Sequence, residues 1–137
     1  MSADSQWPLQ QAVYAALSGD AQIKAVLGDP ARIFDHVPPS AQFPHLAIGE
    51  TTAQPFDGKT EDGLDQTLTL HTWSRARGLK ETKTIMAAVT AALDNQTLTL
   101  NGHALVLLRM VFAMTALDSD GLARQGGPRF RALTAAP

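Results

Sequence analysis

Cysteine does not occur in this sequence, which excludes disulfides, cysteine-bound zinc and thiol catalysis together. Charge is scarce too: Asp, Glu, Lys and Arg make up 18% of the residues, below the ~25% of an ordinary globular domain. The 11 basic and 13 acidic residues leave a net charge of -2, so there is no basic footprint to hold nucleic acid by its phosphates. No apolar run approaches the ~18 residues that cross a membrane. The N-terminus lacks the basic-then-apolar order of a secretory signal, and the expectation is a chain that is cytoplasmic when made.

The usual carriers of chemistry are missing as well. His36, His45, His71 and His103 are the four histidines, and none stands i, i+4 on a helix beside a carboxylate, the spacing a zinc site uses. There is no Gly-x-Ser-x-Gly elbow, no glycine-rich phosphate loop after a strand and no dinucleotide fingerprint. Carboxylates cluster at Asp57, Glu61, Asp62 and Asp65, but a polar loop supplies neither the burial nor the close pairing that shifts carboxylate pKa values. The same loop lacks the alternating oxygen ligands and the twelfth-position Glu of a calcium loop. The expectation is a protein that is not an enzyme and takes no metal and no cofactor. The rival is a small hydrolase or ligand-binding domain that brings His71 and His103 together across neighbouring strands.

What the sequence does contain is enough apolar material for one core. Hydrophobic residues are 45% of 137, a length at which a single domain (1–137) buries about 70% of its unfolded surface. Leu9, Val13, Ala16 and Leu17 fall on one helical stripe, with Ser5 as a candidate cap and Gly19 as the stop. Asp20 caps a short second helix carrying Ile23, Val26 and Leu27. A third helix spans about Leu79 to Asp94 with Met86, Val89, Ala92 and Leu93 on one face. Strands are expected at Arg32–Val37, Phe43–Thr51 and Gln66–Ser74, the last alternating Leu68, Leu70 and Thr72 against Thr67, Thr69, His71 and Trp73. Asn101-Gly102 predicts a hairpin turn after Thr97–Leu100. The strand after it, Ala104–Leu117, carries Val106, Leu108, Met110, Phe112 and Met114 on one face and is expected in the sheet interior. Arg129–Leu133 closes the sheet with Phe130 inward. The sum is an α+β fold: a mixed or antiparallel sheet of four or five strands with two to three helices mainly on one face.

Two polar segments stand out against this frame. Thr52–Gly63 is long for a connection between two strands, and loops of that length are usually functional. It holds Phe56, an aromatic with little nearby to bury it, among Asp57, Lys59, Glu61 and Asp62. An exposed aromatic of this kind is a common interface anchor, whereas Trp73 reads as core. The glycine-rich Asp118–Pro128 segment ends beside Arg129 and Arg131, which leave the last strand on the same face near Arg124. The candidate interface is therefore Phe56, Asp57, Lys59, Glu61, Asp62 and Asp65 on one side, and Arg124, Arg129 and Arg131 on the other.

In order along almost the whole chain, several blocks are familiar. They are Val13-Tyr14-Ala15-Ala16-Leu17 through Asp20 to Leu27, then Arg32-Ile33-Phe34-Asp35-His36-Val37-Pro38 with Phe43-Pro44. Leu68-Thr69-Leu70-His71-Thr72-Trp73-Ser74 follows, with Gly78 and the long helix, and then Leu100-Asn101-Gly102-His103 and Arg129-Phe130-Arg131. The chain resembles the tail terminator, or tail-completion, proteins of long-tailed phages and phage-derived gene transfer agents. The resemblance implies a hexameric ring of identical subunits that caps the tail tube and joins tail to head. It implies three partners: further copies of the chain, the tail tube protein and a head-side connector or stopper protein. It implies no sequence-specific contact with nucleic acid, with DNA passing through the ring, and no membrane. Its setting would be the bacterial cytoplasm and then the head–tail junction of the particle. It brings no catalytic residues. Another connector or stopper position is the alternative within the same class. Thr72 stands where Val is more typical of the family, and Pro128 makes the entry to the last strand unusual.

Overall fold

The computed structural model describes residues 4–55, 63–118 and 121–136. Helix α1 (Gln6–Ser18) buries Leu9, Val13 and Leu17 of the expected stripe, with Ala12 buried beside them and Ala16 only partly covered. Ser5 precedes it, but its hydroxyl caps nothing. It is buried and bonded to Thr134 Oγ1 at 2.5 Å and to Gln66 Nε2 at 3.0 Å, because a buried hydroxyl must find partners where it lies. Asp4 accepts the Gln6 N–H instead, at 3.1 Å. Helix α2 (Ala21–Leu27) has the cap the sequence predicts: Asp20 Oδ1 accepts from the N–H groups of Gln22 and Ile23 at 2.9 and 3.1 Å. Helix α3 (Lys80–Leu93) turns Thr82, Ile85, Val89 and Leu93 inward.

The strands are β1 (Ile33–Phe34), β2 (His45–Pro55), β3 (Gly63–Ser74), β4 (Ala104–Phe112), β5 (Thr115–Leu117), β6 (Arg124–Gly126) and β7 (Arg129–Ala135). β1 runs parallel to β2, and the remaining pairs are antiparallel, so the sheet is mixed. β3 is its spine. One edge of β3 pairs with β2; the other pairs with β7 along Gly63–Thr69 and with β6 along Thr72–Ser74. Beyond them β4 pairs with β7, and β5 with β6.

Seven strands replace the expected four or five, and the excess has a local cause. Pro128 has no N–H to give a ladder. The chain breaks at Gly127-Pro128, separating β6 from β7, while Pro128 O accepts from Leu70 N–H at 3.0 Å. Across that break Met114 and Gly127 exchange backbone hydrogen bonds at 2.9 and 3.3 Å, and the facing chain is divided into β4 and β5. The segment expected as loop before Pro128 thus contains β6. Likewise Thr52–Pro55 and Gly63, expected as loop, are paired strand, with Thr52 opposite Thr67 and Gln54 opposite Asp65. Thr97–Leu100 is not a strand: only Leu100 bridges to His103, across a turn in which Gly102 takes φ +78°.

The largest correction concerns Ala104–Leu117. It lies at the rim of the sheet, because β4 has a strand partner only in β7 and β5 only in β6 among the described residues. The interior position belongs to β7, between β3 and β4. The helices cover one face. Leu68 and Leu70 of β3 and Phe130 and Ala132 of β7 join the buried side chains of α1, α2 and α3 in a single cluster.

Candidate functional site

The face of the sheet turned away from the helices is polar, and its side chains pair with one another. Arg131 makes a bidentate pair with Asp65, Nε to Oδ1 at 3.0 Å and Nη2 to Oδ2 at 2.9 Å. This guanidinium holds the Asp65 carboxyl below its usual range. Arg129 Nε donates to Thr69 Oγ1 at 3.2 Å, and its guanidinium lies 5.1 Å from the centre of the Phe112 ring. Thr52 and Thr67 share a hydrogen bond across β2 and β3. The expected shared face of Arg129 and Arg131 is therefore present. Arg124 is not on it: it sits in β6 opposite Ser74, on the helix side of the sheet.

His71 occupies the middle of the polar face. Its Nδ1 is 2.7 Å from Gln125 Nε2, and its Nε2 is 2.7 Å from Glu50 Oε1. An amide nitrogen can only donate, so Nδ1 accepts and Nε2–H donates to the carboxylate. That hydrogen bond lowers the Glu50 pKa from its usual value. Both ring nitrogens are thereby engaged, and neither faces a hydroxyl it could deprotonate. Glu50 itself is exposed. His103 does not join His71, since it precedes β4 and β7 runs between β4 and β3. The hydrolase arrangement expected as a rival is absent from these residues. His45 is buried against Phe43 and Phe34; desolvation lowers its pKa, opposed by a hydrogen bond to Gln42 O at 3.1 Å. No group of three His, Asp or Glu side chains among the described residues is placed to hold a metal ion. No helix among them is long and apolar enough to cross a membrane.

Besides Leu79 and Leu122, apolar side chains are left in the open in two groups, at opposite ends of the sheet. The first is the rim formed by β4, β5 and the turn between them. Val106, Val111, Phe112 and Leu117 are each about half exposed, at 59%, 52%, 49% and 56%, with Met110 and Met114 beside them. So many large apolar side chains left exposed along one rim mark an interaction site more often than a solvated wall. Part of this rim is already closed to strand pairing. Leu108 O accepts from Asn95 N–H, and Met110 N–H donates to Asp94 Oδ1, both at 2.8 Å.

The second place lies beyond β2, where α1 runs beside β1. Trp7 and Tyr14, two turns apart on α1 and outside its buried stripe, are 58% and 47% exposed. They form one wall of a groove of about 550 Å³ whose other wall includes Phe34, Asp35 and Ile48. Gln10 Nε2 donates to Asp35 Oδ2 across it at 3.2 Å.

Of the sequence-predicted interface, Phe56, Asp57, Lys59, Glu61 and Asp62 lie outside the described residues. Asp65 and Arg131 are brought together within the chain, and Trp73 stands half-buried on the polar face opposite His45. The rim and the groove were not expected. The Val106–Met114 alternation predicts one buried face, but register shifts between Leu105 and Leu107 and between Met110 and Phe112 break it, so that Leu108 is buried while Val106 and Phe112 are left half exposed. Trp7 and Tyr14 were legible: two large aromatics on the polar side of an amphipathic helix are a signal in themselves.

The sequence model of the tail completion protein gp17 family matches residues 11–135. The tail completion protein gp17 of Bacillus phage SPP1 is 29% identical over 84 residues, 61% of this chain and 62% of that protein, so the match spans less than two thirds of the relative. A chain from the virion of a native gene transfer agent particle superposes with a TM-score of 0.89 at 27% identity, over 98% of this chain and 100% of that one. The solved gp17 protein of bacteriophage SPP1 superposes with a TM-score of 0.64 at 22% identity, over 96% and 95%.

Proposed function

The chain belongs to the tail completion protein gp17 family, a family of structural tail proteins of virions and not of enzymes, and on that premise we propose that it closes a hexameric ring at the end of the tail. The ring stops the tail tube and presents its other face to a head-side connector or stopper at the head–tail junction. The observation that carries this reading is the open apolar rim. A subunit whose Val106, Val111, Phe112 and Leu117 all stand half exposed gains by covering them with protein. A closed ring does so for every copy, because each rim meets the same neighbouring surface and no end is left over.

The polar segments contribute differently. We assign the 56–62 stretch, with Phe56, Asp57, Lys59, Glu61 and Asp62, to contacts made across the head–tail or ring interface, beyond the β2–β3 hairpin that carries it. Arg124 and Arg129 stay available to face acidic neighbours. Arg131 has its acidic partner within the subunit at Asp65. Exposed pairs of this type set orientation and association rate more than affinity, and salt weakens them.

Solution mass together with electron microscopy of particles carrying a tagged copy tests the reading. The expected result is a ring-sized species in solution and label at the head–tail junction. A strict monomer at every concentration, or label along the tube, overturns it.

A further inference from the structure

Resting on the ring reading, we propose that the seam between subunits is a knob-and-groove contact: the Val111–Leu117 rim of one copy sits in the Trp7–Tyr14 groove of the next. Rotation about a ring axis brings two different patches of the subunit together, and they must be complementary and lie on different sides of it. The two open apolar sites meet that condition. The groove lies beside β1, at one end of the sheet order, and the rim is β4 and β5, at the other. Both carry large side chains near half exposure.

Charge sorts the possible pairings. Arg109 is exposed on β4, Arg124 is the register partner of Leu117, and Arg129 lies over Phe112, so along the rim three guanidinium groups outnumber the Asp94 and Asp118 carboxylates and leave it net positive. The groove contains the Asp35 carboxylate, exposed and held by Gln10. Rim against groove therefore sets arginine toward carboxylate. Rim against rim, the two-fold alternative, sets arginine against arginine, and like charges face to face reject a partner.

Backbone geometry decides the manner of contact. A bare sheet edge invites another strand to add to its ladder. Here Asp94 and Asn95 take the outward N–H of Met110 and C=O of Leu108, so a continued ladder is blocked along the middle of β4. From Val111 to Leu117 the rim offers the side chains of Val111, Phe112, Met114 and Leu117. A groove of about 550 Å³ is within the ~300–1,000 Å³ of sites that enclose a ligand, and it has room for more than one such side chain.

The absence of cysteine makes the test direct, since introduced thiols are the only ones present. Gln11 at the groove and Ala113 on the rim are both exposed, so Gln11→Cys and Ala113→Cys leave the core alone. With a short bis-maleimide, the two variants should couple when mixed and stay uncoupled separately. The double variant should give a covalent ladder ending at the ring. A second arm exchanges charge: Asp35→Arg should weaken association on the order of tenfold, and adding Arg109→Asp should restore most of it. Coupling of Ala113→Cys with itself overturns the seam in favour of rim on rim. Rings that form normally with no coupling in the mixture overturn the seam and leave the ring standing. A subunit that never associates takes down both.

Discussion

Thr72 lies at the centre of the helix-side face of β3, fully buried, with no hydrogen-bond partner for its hydroxyl among the described residues. Its neighbour across the ladder is Gly126, and a Cβ there would collide with both Thr72 Oγ1 and Met86 Sδ. The hydroxyl occupies space that a methyl group would fill equally, yet it carries the desolvation cost of an unmet polar group, about 1–3 kcal/mol. Thr72→Val should therefore stabilise the subunit by about 1 kcal/mol, read from the denaturant midpoint at unchanged slope. A loss of stability would mean that the hydroxyl is satisfied after all. At this scale the sequence is informative but incomplete. The inward direction of Thr72 follows from the Leu68–Leu70–Thr72 alternation. The lack of a partner depends on Gly126, 54 positions away, and no local pattern reveals it.

The elements were legible where their signals are local. The Asp20 cap, the α1 stripe and the inward Phe130 of β7 depend on residues within a turn or two, and each is where periodicity places it. The sheet order was not legible, because β4's position depends on pairing with β7 and on what happens beyond its free side. That side is managed by the end of α3, whose Asp94 carboxylate reaches back 16 positions to the Met110 N–H. Asp94→Ala should cost about 1 kcal/mol for the lost bond. Its larger consequence is a newly bare β4 edge. The variant should form sheet-rich aggregates at concentrations where the parent stays in solution, visible as turbidity and an amyloid-dye signal. Asp94→Asn, which keeps an acceptor oxygen, should behave like the parent. If Asp94→Ala assembles as cleanly as the parent, the plug is not what protects this edge.

For the whole molecule, assembly and stability are expected to be one equilibrium. The described surface pairs its polar groups internally on one face of the sheet and leaves apolar side chains at two ends, so the isolated subunit is the state with surface left to bury. Anything that binds only the folded form stabilises it by mass action, and in a closed ring the other copies are the ligand. Raising the protein concentration a hundredfold should add about 2 kcal/mol per subunit. At this chain length that moves the melting midpoint by roughly 5–10 °C. The rim can be disabled without touching the core, because Val111 and Leu117 are already half exposed. Val111→Ser with Leu117→Ser should change the dilute subunit by no more than about 0.5 kcal/mol each, while removing the concentration dependence altogether. Two melting curves per variant, at either end of the range, separate the causes. A midpoint low at both concentrations would mean that the substitutions damaged the fold. A midpoint that still climbs with concentration would mean that the rim is not the surface that copies of this chain cover.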